Sequence, residues 1–171
     1  METAKVQEQD KETIREEASK IIKNHVMGSM GVGLIPVPLV DLVALTGVQL
    51  NMLRKLSNLY DISFSKEKVK NLLGSLLGSA IPISVSGTVA SLVKAIPVVG
   101  HTSAALVMPA TSGATTYAVG KVFVQHFESG GTFLNFNPDE VKEYYTELYK
   151  EGQKVAGNMK KESPKKEEGK K

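Results

Sequence analysis

The fold of this chain is decided by residues 71–120, which read NLLGSLLGSAIPISVSGTVASLVKAIPVVGHTSAALVMPATSGATTYAVG. Lys94 is the one formal charge in these fifty residues, and His101 is their one other titratable base. The apolar runs 71–93 and 98–120 are each 23 residues long. A helix of about 20 residues crosses a hydrocarbon core about 30 Å thick, so either run is long enough to span it. The sequence therefore predicts a long apolar helical hairpin with a short polar joint at Lys94–His101.

Small residues make up about half of this stretch, and they predict close contacts between helices. Glycine, serine and threonine let helix backbones approach each other, which matters most where lipid surrounds the helices. The predicted helix-packing positions are Gly74, Gly78, Gly113 and Gly120.

The charges around the hairpin agree with insertion into a membrane from the cytoplasmic side. Lys66, Lys68 and Lys70 precede the first run and Lys121 follows the second, so both ends fit the cytoplasmic face. Pro82 and Pro109 near the middles of the two runs, and the many hydroxyl groups, favour a buried protein core instead. Both readings stay open: a membrane hairpin, or a helical core inside the protein.

A second apolar stretch, at about residues 26–56, predicts a shorter hairpin around a proline joint. Pro36 and Pro38 end a helix, and each half is too short to cross a bilayer. Asp41 follows this joint and has two interpretations, as a helix cap or as a carboxylate lining an ion path. Lys94 is likewise either an anchor at the hairpin tip or a partner for Asp41. Asp41, Lys94 and His101 are the candidate functional polar residues.

Amphipathic helices flank the two hairpins and complete an all-α helical bundle. An apolar stripe through Ile14 and Val26 predicts an N-terminal helix from Asp10. Pro138 followed by acidic residues predicts the start of a C-terminal helix. We expect a flexible lead at residues 1–10, one helical domain at 11–157, and a disordered tail rich in lysine and glutamate at 158–171.

Composition excludes several classes of protein. The net charge of +3 comes from the tail, where six lysines face three glutamates from residue 159 onward, and the body of the chain has no arginine-rich stripe. We therefore predict no nucleic-acid partner. The absence of cysteine excludes disulfides and thiolate metal sites. The polar N-terminal sequence is not that of a signal peptide, so we expect any membrane segment to be internal.

No catalytic, metal or cofactor site is predicted. Gly113 and Gly120-Lys121 resemble a phosphate-binding loop only superficially, because six residues separate the glycines and Val122 replaces the required Ser or Thr. His25, His101 and His126 lie far apart, and none has a metal-ligating partner at helical spacing.

Two motifs resemble a bacterial family of helical proteins. They are IPVPLVD at residues 35–41 and TYAVGKVFVQHFESGG at residues 116–131. The family is domain-of-unknown-function family 697, and the resemblance extends from about Ile21 to Phe136. It implies an α-helical module that is often predicted to be membrane-embedded and is sometimes fused to, or encoded beside, a small Ras-like GTPase. It supplies no catalytic residues, and this chain has no GTPase domain of its own.

Three hypotheses about function follow. The leading one is a non-enzymatic module of the cytoplasmic membrane, with cytoplasmic termini, that self-associates and acts with a small Ras-like GTPase in trans. The second is a soluble cytoplasmic adaptor whose apolar segments form a buried core and which binds another protein. The third is an oligomeric membrane pore lined by Asp41 and by the Ser/Thr-rich face.

Overall fold

The computed structural model describes residues 2–34, 38–84 and 104–162 of the chain. These residues form helices and connecting turns and contain no strand, so the predicted all-α fold is confirmed. In chain order the helices are α1 (Glu2–Val32), α2 (Pro38–Leu59), α3 (Lys66–Ser84), α4 (Ala104–Glu128) and α5 (Lys142–Glu162).

Helix α4 lies at the centre of the bundle and packs most extensively against α5 and α1. Gly113 lies beside Met30 of α1 and Gly120 lies beside Ile22, so α1 and α4 run antiparallel. Gly152 of α5 lies against Ala114, which makes α5 antiparallel to α4 as well. Helix α2 is parallel to α4, because Met52 lies near Gly120 while Tyr60 lies near Glu128.

The two ends of the bundle differ in composition. At one end, six aromatic residues come together from the end of α2, the end of α4 and the loops that follow them, and we call it the aromatic end. These residues are Tyr60, Phe64, Phe123, Phe127, Phe133 and Phe136. The other end of the bundle contains the end of α1 and the beginnings of α2 and α4. Because α2 begins there at Pro38, we call it the Pro38 end.

The apolar run that enters α4 lies inside the protein from Pro109 onward. Ala114, Ala118 and Val119 are fully buried, and Val122 and Phe123 continue the same buried surface toward the aromatic end. The small residues Gly113 and Ala114 let α1 and α5 approach α4 from two sides. This part of the 98–120 run is therefore covered by the protein's own helices. Residues 85–103, which contain the rest of the predicted hairpin, lie outside the described part.

None of the helices in the described ranges is both long and apolar enough to cross a membrane.

Several helix boundaries differ from those that the sequence predicts. Helix α1 begins at Glu2 instead of Asp10, so the described lead residues are helical. Helix α4 passes Gly120 and ends at Glu128, before the Gly130–Gly131 turn. Helix α5 extends to Glu162, beyond the domain limit that we predicted at residue 157.

The start of α5 was predicted at Pro138, but the helix begins at Lys142. The Asn137 side chain explains the delay, because its Oδ1 accepts a hydrogen bond from the Asp139 N–H at 3.2 Å and its Nδ2 donates one to Glu140 Oε1 at 2.8 Å. Asparagine forms such local turns in competition with a helix. Residues 138–141 are consequently a turn that leads into α5.

Candidate functional site

The polar residues predicted as functional are described only in part. Asp41 lies in the first turn of α2. This helix begins at Pro38, and proline suits the first helical position because its ring fixes φ near the helical value. A carboxylate in the first turn of a helix is stabilised by the helix dipole. The side chain of Asp41 lies outside the described part, as do Lys94 and His101 altogether.

The four predicted packing glycines fall into two pairs with different surroundings. A Cβ atom at Gly113 would lie 2.8 Å from Met30 Cγ, and one at Gly120 would lie 2.7 Å from Ile22 Cγ1. Both distances are shorter than observed Cβ contacts, so a side chain at either position would require Met30 or Ile22 to move. Gly74 and Gly78 on α3 are exposed, and a Cβ there would meet no described atom within 4 Å.

His25 has a structural role in the packing of α1 against α2. Its Nδ1 lies 2.7 Å from the carbonyl oxygen of Ile21, and because a carbonyl only accepts, Nδ1 carries the proton. Its Nε2 then accepts a hydrogen bond from Asn51 Nδ2 at 3.4 Å. Both ring nitrogens are thus occupied by the protein itself.

His126 joins the end of α4 to the loop that follows. Its Nε2–H donates to the Thr132 carbonyl oxygen at 3.0 Å and to Asn135 Oδ1 at 3.2 Å. The ring also packs edge-on against Phe136. Within the described ranges, no three His, Cys, Asp or Glu residues come together as a metal site would require. The two described histidines therefore hold helices and a loop in place.

Two hydrogen-bonded carboxylates on the outside of the bundle connect neighbouring helices. Glu128 accepts two hydrogen bonds from Arg15, at 3.0 and 3.1 Å, and a third from the Tyr60 hydroxyl at 3.1 Å. Glu151 of α5 accepts a short bond of 2.6 Å from the Tyr117 hydroxyl. Burial raises the pKa of Tyr60 and Tyr117 well above the ordinary value, and the adjacent carboxylates raise it further. Both tyrosines remain protonated donors at neutral pH.

A shallow groove of about 290 Å³ lies between α1 and α5 on the surface of α4. Its floor is apolar and its rim carries two lysines; its lining residues are Ser19, Ile22, Lys23, Tyr117, Lys121, Val155 and Met159. The Lys121 ammonium lies 5.9 Å from the centre of the Tyr117 ring. No carboxylate or histidine lines this groove, so its residues supply no acid–base pair.

Large apolar side chains are exposed around the Pro38 end. Met27 is 52% exposed, Leu34 is 63% exposed and Val43 is 74% exposed. All three lie in the half of the α1–α2 hairpin next to its turn. The chain connects to residues 35–37 and 85–103 at the neighbouring helix ends, and the sequence of both segments is mostly apolar, with Lys94 and His101 as the titratable exceptions. The Pro38 end is therefore the candidate functional surface.

The same end carries basic residues from the C-terminal part of the chain. Ala156 lies beside Gly113, which places the last turns of α5 at the Pro38 end. Lys160 and Lys161 belong to these turns, and the sequence after them contains four more lysines. The lysine-containing C-terminal end of helix α5 therefore lies at the Pro38 end.

The motif at residues 116–131 has a structural explanation. Gly130 has a φ of +83°, a conformation that ends the helix and favours glycine. A Cβ at Gly131 would clash with the His126 ring, so glycine at this next position lets the ring reach the loop. The role of His126 was missed, because the contact joins residues on opposite sides of the turn.

Gly152 is a further packing residue that the sequence analysis missed. A Cβ there would lie 2.9 Å from both Cα and the carbonyl oxygen of Ala114. Its only signal in the sequence is a glycine inside an otherwise amphipathic helix.

Comparison with known proteins identifies relatives of this chain. It is 37% identical over 144 residues to magnetosome membrane protein 22 of Magnetospirillum gryphiswaldense, an alignment that covers 84% of this chain and 74% of that protein. No solved structure matches. Residues 3–154 match the family described as "Domain of unknown function (DUF697)", as the two sequence motifs predicted. This chain belongs to the DUF697 family.

Proposed function

We propose that this protein is a non-enzymatic, membrane-associated helical module that contacts the bilayer through its Pro38 end. The observation that carries the proposal is the exposure of Met27, Leu34 and Val43 around one end of the bundle. The name of the magnetosome relative, a membrane protein, supports the same role.

The exposed apolar side chains give the Pro38 end an affinity for lipid. Burying a large aliphatic side chain is worth about 1.5–3 kcal/mol. Three such residues, together with the apolar sequence of the adjoining segments, supply enough free energy for binding to an interface. Leu34 and Val43 are the best test positions, because they are the most exposed apolar residues at this end.

The lysines near the end of α5 add an electrostatic contribution. A lysine close to an anionic membrane surface contributes about 1 kcal/mol, and salt screens this attraction. Lys160 and Lys161 and the lysines after them follow the part of α5 that packs beside Gly113. Binding through this end should therefore be stronger to anionic than to neutral vesicles.

Flotation of the purified protein with vesicles tests the proposal at neutral pH. We expect the protein to float with vesicles of phosphatidylcholine and phosphatidylglycerol, and to float less as salt is raised. The double variant Leu34→Asp/Val43→Asp should lose most of this binding. The matched control is Leu134→Asp, since Leu134 is 78% exposed but lies at the aromatic end. Equal loss in both variants, or no flotation of the unmodified protein, would refute the proposal.

Two finer parts of the leading hypothesis belong to this proposal and have separate tests. The family resemblance motivates partnership with a small Ras-like GTPase in trans, to be tested by nucleotide-dependent co-purification. Self-association, which the small residues of the sequence motivate, is tested by light scattering in the presence and absence of lipid. The pore hypothesis predicts that the protein conducts ions across a planar bilayer. If Asp41 lines the pore, Asp41→Asn should change this conductance.

The adaptor hypothesis is supported by the groove between α1 and α5. Ile22, Val155 and Met159 form an apolar floor, and Lys23 and Lys121 lie at its rim, which suits an acidic amphipathic helix of another protein. If the protein fails to float with vesicles of every lipid composition tested, the adaptor function is favoured. The substitution Lys121→Glu should then weaken binding of the partner without affecting the fold.

A further inference from the structure

The core of the bundle changes in character along its axis. Near the aromatic end, Phe123 stacks on Phe136 with ring centres 4.3 Å apart and also contacts Phe133 at 5.5 Å. Phe127 meets Phe133 edge-on at 5.2 Å. Aromatic pairs of this kind contribute about 0.5–1.5 kcal/mol each beyond the burial of their surface. The aromatic end is therefore firmly packed.

Toward the Pro38 end the same core contains polar groups, and two of them are unpaired. Gln49 on α2 is 1% exposed and Thr116 on α4 is fully buried. Neither Gln49 Nε2 nor Thr116 Oγ1 has a hydrogen-bond partner among the described residues. A buried polar atom without a partner lowers stability, because it loses its hydrogen bonds to water and gains none.

The two unpaired groups lie at the same level of the bundle. Met52 lies beside the position of Gly120, and Gln49 and Thr116 each precede these residues by about one helical turn. Helices α2 and α4 are parallel, so one turn back along both helices keeps the residues level. The loss of stability caused by these unpaired polar atoms is therefore concentrated where α2 faces α4.

One helical turn nearer the Pro38 end, the contact between α1 and α4 is also polar. The Ser29 hydroxyl donates to the Val26 carbonyl oxygen at 2.8 Å within its own helix, and its distance to the Ser112 carbonyl oxygen on α4 is 3.3 Å. Small and hydroxyl side chains bury less apolar area than the phenylalanines at the other end. At the aromatic end, Arg15 of α1 and Tyr60 beyond α2 both bond to Glu128 of α4, and the Tyr60 ring packs on Phe127 with centres 5.8 Å apart. The hairpin is therefore joined to α4 there by an ion pair and an aromatic contact, whereas at Ser29 it is held by small and hydroxyl side chains.

We propose that the α1–α2 hairpin separates from α4 at the Pro38 end when that end meets a bilayer, while the aromatic end stays closed. This inference rests on the proposed membrane contact and adds the conformational step by which a core helix reaches lipid. In water the separation would expose Val26 and Val119, both fully buried, and the closed form is favoured. At a bilayer, lipid covers these side chains and interfacial water satisfies Gln49 and Thr116.

Distances between paired spin labels test the separation directly. The chain has no cysteine, so introduced cysteines are the only labelling sites. Gly31→Cys/Asn158→Cys places labels on α1 and α5 near the Pro38 end, at two exposed positions. Ser63→Cys/Leu134→Cys labels the aromatic end as the matched control. We expect vesicles to lengthen the first distance by about 10 Å, roughly one interhelical spacing, and to leave the second unchanged.

A second variant tests the role of the unpaired groups. Gln49→Leu/Thr116→Val removes the two unpaired atoms, together with Gln49 Oε1, while nearly conserving volume. We expect its melting temperature to rise by about 4 °C or more, and the vesicle-induced lengthening to fall at least fivefold. A lower melting temperature would mean that both groups are satisfied in the closed form, and it would overturn the inference.

The outcomes separate this inference from the proposed function. If the protein floats with vesicles and the Gly31–Asn158 distance stays unchanged, the membrane contact stands and the separation is refuted. If both distances lengthen together, the bundle unfolds as a whole and the separation is again refuted. If the protein does not float at all, the proposed function fails, and the inference fails with it.

Discussion

Substitution of Gly152 by alanine tests whether α4 and α5 are held at the separation that the structure shows. The new Cβ would lie 2.9 Å from Ala114 Cα and 2.9 Å from its carbonyl oxygen, and 3.0 Å from Tyr117 Cβ. Ordinary contacts to a Cβ are longer by about half an ångström, and two of the opposing atoms belong to a helix backbone. The helices must therefore move apart.

The expected magnitude combines two opposing effects. Alanine is favoured over glycine inside a helix by about 0.8–1.0 kcal/mol. Overpacking of a core costs about 1–3 kcal/mol, and the rigid backbone of α4 places this site in the upper half of that range. Gly152→Ala should therefore lower the free energy of unfolding by about 1–2 kcal/mol, which corresponds to a melting temperature lower by about 2–8 °C.

Gly74→Ala is the matched control, since Gly74 is a helical glycine with no described atom within 4 Å of its Cβ position. It gains the helix propensity without the clash, so it should raise stability by about 0.8–1.0 kcal/mol. Urea denaturation of the two variants measures the difference, in which the propensity term cancels. A Gly152→Ala protein as stable as Gly74→Ala would refute the close α4–α5 contact.

Three further predictions concern the aromatic end, the turn after α4 and the tyrosines. Phe123→Ala should lower the free energy of unfolding by about 3–5 kcal/mol in urea denaturation, because it removes a fully buried ring that contacts Phe127, Phe133 and Phe136. Gly130→Ala should cost about 1–2 kcal/mol in the same assay, since its φ of +83° strains any residue with a Cβ; equal stability would contradict this geometry. Burial raises the pKa of four tyrosines, Tyr60, Tyr117, Tyr144 and Tyr145, so they hold their protons more tightly in the folded protein than in the unfolded one. Their contribution to the free energy of unfolding should therefore be fully present below about pH 10 and should fall as the pH rises above it. Absorbance of the phenolate near 295 nm should then rise together with loss of helical circular dichroism, and separate transitions would contradict the prediction.

The last prediction bears on how membrane binding is measured. An alkaline wash near pH 11 lies inside the range where the raised tyrosine pKa values cost stability. Release of the protein under such conditions would combine unfolding with detachment. Flotation at neutral pH avoids this effect.

The sequence by itself determined the family and the helical class. The motif at residues 116–131 predicted membership of DUF697. Apolar spacing and proline positions are local signals, and they predicted the boundary near Pro36 and Pro38, where α1 has ended and α2 begins. Local rules suffice for such features because hydrogen bonding within a helix depends on near neighbours in the sequence.

Tertiary contacts decided where the helices end and which glycines matter. Helix α5 continues through Gly152 and Gly157 because the first of these allows α5 to pack directly on Ala114. Gly113 and Gly120 face α1, whereas Gly74 and Gly78 face no described atom, although the four have the same signal in the sequence. A glycine records only that a side chain is absent, and the neighbouring helix determines whether that absence is needed.

The sequence also did not determine whether the apolar residues lie in lipid or in a protein core. A run such as 98–120 satisfies a lipid bilayer and a protein interior equally well, because both remove apolar surface from water. In the described part of the bundle, the side chains of this run from Pro109 onward are largely covered by α1, α2 and α5. The exposed Met27, Leu34 and Val43 and the unpaired Gln49 and Thr116 became visible only once five helices were packed together, since exposure and hydrogen-bond satisfaction depend on residues distant in the sequence.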